Sequence, residues 1–361
     1  MSSSQPPGGE PTSIPVSDSP IDDLRPEDLP PVEPPSAGFI VQLFVVPALI
    51  VMAVVGVWAL FGRMAGGEQD YRTLTKELAS TNEHRRWRAA LGLAQMMKSD
   101  LDRGKDGQGL SKNRDVATQL TTMLDERLKG LLPSDDDKRE AAVKHQEFLA
   151  RTLGLLDVND LTLPVLQSAM DEDHDREVRK NAIASIAMIA GRNETAGTPM
   201  ESQEIADSLL VATTDADVLI RQMGTYALGL IRTDGAKASL DGLLKNSDQN
   251  TRYNAAIGLV RHGSSEGLPI FLDVLTEANK PVDADASDDM TAEQRAEYDQ
   301  RKDFLEPVML LNTMKAIGDL QEVLTSKETD DLTKLLKPIA DSYTNSEVRV
   351  HAQKVLSELT K

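Results

Sequence analysis

One register recurs along this chain of 361 residues. Arg86, Arg179, Arg221, Arg252 and Arg349 each have Asn or Asp four residues earlier, at Asn82, Asp175, Asp217, Asp248 and Asn345. Each has Ala or Gly three residues later, at Ala89, Ala182, Gly224, Ala255 and Ala352. Six residues after the arginines stand Gly92, Ser185, Ala227, Gly258 and Val355. A repeated unit of this size cannot bury its own apolar face. Stacking on its neighbours is what gives it a core.

Each position has a physical role in a helix. Asp or Asn at the start accepts from the free backbone N–H groups of the first turn. Small residues three and six places after the arginine lie near one face and let a second helix approach closely. Apolar residues fill the rest of that face, as at Ile183, Ile186, Ala187 and Ile189. Two further copies are degraded: Lys144 replaces Arg with Glu140 at the cap offset, and Leu310 replaces Arg in Pro307–Gly318. The anchors then fall at 86, 144, 179, 221, 252, 310 and 349, with intervals of 58, 35, 42, 31, 58 and 39. Units of 31–42 residues suit a two-helix repeat. The two long intervals predict insertions near 99–113 and 279–303. The first is polar and glycine-rich; the second is an acidic stretch followed by a helix extension over Thr291–Asp303. A partner helix is predicted before most anchored ones, over Leu161–Met170, Ile205–Ala212, Ala238–Leu244, Gly267–Leu275 and Leu332–Ala340. Apolar spacing of three and four runs throughout, with no convincing alternating strand, and aromatics are only 4%, so the expected class is all-α.

The run Asp175-Arg176-Glu177-Val178-Arg179-Lys180-Asn181-Ala182 resembles the second helix of a HEAT repeat. Ile220-Arg221 through Ala227-Leu228-Gly229 and Thr251-Arg252-Tyr253-Asn254-Ala255-Ala256 are similar to it again. The resemblance covers Tyr71–Lys361 and is strongest over Leu161–Gly263. It implies an α-solenoid (an α/α superhelix) of about six to seven HEAT-like helix pairs. It also implies that the repeated Arg and Asp are structural and link adjacent repeats, and that a protein partner binds along the concave face. Some HEAT-like families are lyases that attach bilin chromophores to other proteins. A lyase or modifying enzyme acting on a protein substrate is therefore one alternative to a non-catalytic scaffold, and a structural envelope protein is another.

Ahead of the repeats, Phe39–Gly62 carries no charge and is long enough to cross a bilayer core, even with Pro47 inside it. It predicts one transmembrane helix at 39–62. Residues 1–38 hold ten of the eighteen prolines and a net charge of −6, which predicts a disordered acidic tail; PVEP (Pro31–Pro34) formally matches a PxxP ligand. Residues 63–70, with Gly66-Gly67, form the linker to a repeat domain at 71–361. Arg63, Arg72, Lys76, Arg85, Arg86 and Arg88 follow the span, whereas Arg25 is the nearest base before it. The positive-inside rule then places the repeat domain in the cytoplasm and the tail on the opposite side.

The remaining chemistry is sparse. With no cysteine, disulfides, thiolate nucleophiles and Cys-based metal sites are excluded. A net charge of −19 argues against nucleic acid as a partner. Gly263-Ser264-Ser265-Glu266-Gly267 matches a nucleophile elbow in letters but follows a helix rather than a strand. Asp171, Asp173 and Asp175 start like a calcium loop, but Arg176 stands where Gly is needed and Ala182 where a bidentate Glu is needed. Asp102-x-Gly104-x-Asp106-Gly107 is a vaguer run of that kind. His84, His145, His174, His262 and His351 are scattered with no i, i+4 pair, so no metal site is expected. Asn193-Glu194-Thr195 fits a glycosylation acceptor. No catalytic residue and no cofactor is expected; the bilayer and one or more unknown proteins are the expected partners.

Overall fold

A computed structural model describes residues 51–52, 54–56, 70–280 and 291–360. The predicted tail at 1–38, most of the predicted span, the linker up to residue 69 and the acidic stretch 281–290 lie outside the described residues. Within the predicted span Val51, Met52, Val54, Val55 and Gly56 are described, and they are helical. Among the described residues no helix is long and apolar enough to cross a membrane. Residues 69–361 form one compact unit.

That unit is all-α among the described residues, with one isolated parallel β-bridge between Met200 and Ile231. The helices are α1 (Tyr71–Leu78), α2 (Glu83–Asp102), α3 (Arg114–Lys129), α4 (Asp136–Leu153), α5 (Asn159–Ser168), α6 (Arg176–Thr195), α7 (Gln203–Ala212) and α8 (Val218–Leu228). They continue as α9 (Asp234–Leu243), α10 (Gln249–Arg261), α11 (Leu268–Ala278), α12 (Ala292–Gln300), α13 (Glu306–Leu320), α14 (Ser326–Ser342) and α15 (Ser346–Leu359). They pack as pairs: α1 on α2, α3 on α4, α5 on α6, α7 on α8, α9 on α10, α11 on α13 and α14 on α15. First helices meet first helices, as α1, α3, α5, α7 and α9 do in succession. Second helices meet second helices in an unbroken row: α2, α4, α6, α8, α10, α13 and α15. The result is two layers, with the core between them.

The seven anchor positions all lie in the second layer, one to each helix. The small residues beside them sit where backbones come close. Gly229 and Gly258 face each other between α8 and α10: a Cβ built on either would stand 2.7–2.8 Å from the other's Cα. Leu310, which replaces Arg in α13, is fully buried in the core. Its apolar side chain explains why that copy loses the polar anchor yet keeps the packing. The buried apolar side chains fall into two clusters that meet at α10, with Ala255 and Leu259 in one and Tyr253, Ala256 and Val260 in the other.

Two boundaries differ from expectation. The cap of α4 is Asp135, which accepts from the Lys138 N–H, so the helix starts one turn before Glu140; Glu140 instead pairs with Lys144 at 2.5 Å. Helix α2 runs on through Ser99 to Asp102, past the expected loop start. The buried Asp100 then gathers the insertion, accepting from the backbone N–H of Gln108 and from that of Leu110 at 2.7 Å. Gly107 is required there, since a Cβ would meet the Asp100 carbonyl at 2.6 Å. The second insertion carries the expected helix extension: α12 leads through a π-turn at Arg301–Leu305 directly into α13.

Candidate protein-binding surface

The repeated polar residues sit at the turns between the two helices of a pair. Asn82, Asp175, Asp217, Asp248 and Asn345 are the N-caps of α2, α6, α8, α10 and α15, each accepting from a first-turn backbone N–H. The arginines divide into two uses. Arg221 Nη1 donates to the carbonyls of Asp215 (2.7 Å) and Ala216 (2.9 Å), in the turn of its own pair. Arg252 does the same with Asn246 (2.7 Å) and Ser247 (2.9 Å), and Arg349 with Tyr343 (2.6 Å) and Thr344 (3.1 Å). Arg86 and Arg179 reach the next pair instead, to Glu126 at 3.7 Å and to the buried Asp215.

The cap carboxylates also join neighbouring pairs. Asp217 accepts from Arg176 Nε at 2.5 Å, and that contact holds its carboxyl below the usual carboxylate range. Asp248 accepts from Gln222 at 3.1 Å. Burial pushes the Asp248 carboxyl up, but bonds from Thr251 and Gln222 outweigh it and the net direction is down. A second ladder escapes the repeat signature. Two residues after the anchor, Asn254 donates to the Gln222 carbonyl at 3.0 Å, and Asn181 accepts from Arg151 at 3.1 Å. The shared offset is visible in the sequence; the partners it finds are set by the stacking.

Between α6 and α8 the second layer opens into a groove of about 550 Å³. Ile183, Ala187, Met188 and Gly191 form one wall; Leu219, Met223 and Tyr226 form the other. Met188 and Tyr226 are large, apolar-bodied and exposed, at 44% and 43%. Gln222 and Asn254 also line the groove, but their amide donors are already engaged, with Asp248 and with the Gln222 carbonyl. Helices α6 and α8 run parallel. Arg176 at the start of α6 meets the Asp217 cap of α8, and Glu194 near the end of α6 meets Arg232 just past the end of α8. At that second end the Arg261 guanidinium lies over the Tyr226 ring, 5.6 Å from its centroid, and 3.5 Å from Glu194.

A second cavity, of about 730 Å³, lies between α2 and α4 under Leu131-Leu132-Pro133. Trp87 stacks on His145 there, with centroids 4.0 Å apart, and meets Phe148 edge-on at 4.8 Å. Burial, aided by Arg127, pushes the His145 imidazole pKa down, while Glu83 at 3.9 Å opposes this.

The letter matches to catalytic and metal motifs take structural positions. Ser264 is buried in the turn between α10 and α11, its N–H bonded to the Leu259 carbonyl at 3.0 Å, with Gly263 at φ +69°. Asp175 caps α6, and Asn193 lies within α6. Among the described residues no group of three or more His, Cys, Asp or Glu is placed to hold a metal ion.

A family model described as HEAT repeats matches residues 206–287. No curated protein matches the chain. Among solved structures, the chain is similar to the YIBA protein of E. coli at 18% identity and a TM-score of 0.37, over 83% of this chain and 96% of that one. A designed armadillo repeat protein matches at 16% identity and a TM-score of 0.33, over 80% and 100% of the two chains. The CpcE–CpcF complex of phycocyanin lyase from a Nostoc species matches at 16% identity and a TM-score of 0.40, over 81% and 96%. From α7 to beyond α11, therefore, the chain is similar to HEAT repeats.

Proposed function

We propose that this protein is a membrane-anchored, non-catalytic scaffold. A single transmembrane helix at 39–62 holds a HEAT-like α-solenoid at the membrane surface, where its second-helix layer receives a protein partner. The observation that carries this reading is the groove between α6 and α8. Its two largest exposed side chains, Met188 and Tyr226, are apolar-bodied, and the amide nitrogens of Gln222 and Asn254 already donate within the protein. Exposed apolar surface of this kind marks interaction sites. The neutral stretch Phe39–Gly62 supports the anchor, and the bases that follow it support a cytoplasmic repeat domain with the tail across the membrane.

Affinity purification of the full-length protein from detergent-solubilised membranes tests the scaffold. A stoichiometric protein partner, depleted at least tenfold by the double substitution Met188→Glu and Tyr226→Glu, is the expected result. A full-length protein recovered without any partner would refute the reading. The orientation has its own test. A single cysteine replacing Ser346 should resist an impermeant maleimide in intact cells and react after permeabilisation; labelling of intact cells would refute a cytoplasmic repeat domain.

A further inference from the structure

We propose that the repeat domain bends at the joint between α10 and the α11–α13 pair, and that Tyr253 is the latch holding this joint in one geometry. One arm is α1–α10; the other is α11 with α13–α15. The hinge is independent of the scaffold reading above.

The packing divides at this joint. The buried apolar side chains separate within α10, which turns Ala255 and Leu259 into one cluster and Tyr253, Ala256 and Val260 into the other. The first layer is interrupted as well. Successive first helices pack from α1 to α9, and α11 packs on α14, but α9 and α11 hardly touch. The second layer thins between α10 and α13. It is also thin between α2 and α4, but there α1 meets α3 and a single apolar cluster spans the joint. Stiffness in a stacked array comes from contacts between neighbouring repeats, so a joint thin in both layers bends most easily.

The polar ties change character there too. Arg176 and Arg179 join α6 to the α8 pair through Asp217 and Asp215. Gln222 with Asp248, and Asn254 with the Gln222 carbonyl, join α8 to α10. Beyond the joint Tyr343 donates to Glu306 at 2.8 Å, and Asn279 to the Leu335 carbonyl at 2.9 Å. Gln222 stands one residue after its anchor and finds the cap carboxylate of the next second helix. Helix α13 presents no such cap, because the insertion runs into it through the π-turn and its N-cap position is Leu305. Tyr253, one residue after its own anchor, crosses instead. Its hydroxyl donates to the Met309 carbonyl at 2.9 Å and meets the Thr313 hydroxyl at 3.2 Å, both on α13. Its ring meets Phe271 of α11 edge-on, with centroids 6.3 Å apart. One side chain therefore grips both helices of the next pair. Parting these groups inside the protein leaves them unpaired at a cost in free energy, so the bonds favour one angle between the arms. The connecting turn contains Gly263 at φ +69°, with open space around it for backbone adjustment. Any ligand that touches both arms is then coupled to the latch.

Distances between paired spin labels test the latch on the full-length protein in detergent. The chain has no cysteine, so labelled pairs carry no background. Gln95 with Val211 lies within the first arm, Asp273 with Val350 within the second, and Val211 with Val350 spans the joint; all four positions are exposed. Before further substitution the three distance distributions should be similarly narrow. Tyr253→Phe keeps the ring and should widen the spanning distribution about twofold or more, with the other two unchanged. Thr313→Val is the second variant. It is nearly isosteric, leaves the bond to the Met309 carbonyl, and should widen the same distribution by less. A spanning distribution already broad without either substitution would overturn the latch. So would one that neither variant widens, or a widening of all three pairs together.

Discussion

Arg179 on α6 and Asp215, in the turn before α8, form an ion pair across two adjacent repeats with side chains only 12% and 7% exposed. Removing one partner of a buried pair strands the other charge, at a cost of about 3–5 kcal/mol. Arg179→Ala should therefore lower the urea midpoint of the piece spanning residues 69–361 substantially. The double replacement Arg179→Met with Asp215→Leu should recover much of the loss, because an apolar pair leaves no charge unpaired. Equal loss in both variants would mean that the pair is not the source.

Gly229 and Gly258 set the separation of α8 and α10. Gly258→Ala would put a Cβ 2.8 Å from the Gly229 Cα, so backbone has to move against backbone. Overpacking of this kind costs about 1–3 kcal/mol. Ala has the better helix propensity, so a gain in stability would show that the two helices separate freely. Thermal unfolding measures the sign.

Tyr253 donates to the Met309 carbonyl at 2.9 Å and meets the Thr313 hydroxyl at 3.2 Å, joining α10 to α13. Burial pushes its phenol pKa up to about 12, with the Thr313 bond opposing. A raised folded-state pKa gives stability that is complete below the unfolded value near 10 and is lost as pH rises through 12. The wild type should lose stability between these values, and Tyr253→Phe should lose less. At neutral pH the substitution should cost about 1–2 kcal/mol for the carbonyl left without its donor. Phenolate absorbance and denaturant titration at several pH values check both statements.

Trp87 stacks on His145, and the other tryptophan, Trp58, lies outside residues 69–361. The emission of that piece therefore reports the pair alone. Burial holds the His145 pKa below 6.5, so its contribution to stability is present above 6.5 and lost as pH falls through the lower folded value. Trp87 emission should titrate below pH 6.5. A midpoint above 6.5 would mean that Glu83 governs the imidazole instead. His145→Gln should abolish the transition.

Asp248 caps α10 and holds Gln222 of the preceding repeat, with its carboxyl below the usual range. Asp248→Ala should cost about 1–2 kcal/mol as a lost cap. The contribution of a depressed carboxyl is complete above its unfolded pKa near 4 and is lost as pH falls through the folded value. The variant should therefore unfold less steeply than the wild type on acidification below pH 4, as followed by circular dichroism.

The sequence by itself determined the helical class, the period and the place of the anchored helices, because capping and apolar spacing are local properties of a few consecutive residues. Asn82, Asp175, Asp217, Asp248 and Asn345 act within one turn of where they stand, so their role was legible without the rest of the chain. Only the tertiary structure decided which partner each side chain meets. Arg221, Arg252 and Arg349 turn back to their own inter-helix turns, whereas Arg86 and Arg179 cross to the next pair, and nothing in the repeated letters separates the two groups. The start of α4 at Asp135, the gathering of an insertion by Asp100 and the groove between Met188 and Tyr226 were hidden for the same reason. Each depends on residues far apart in the chain that only stacking brings within contact distance.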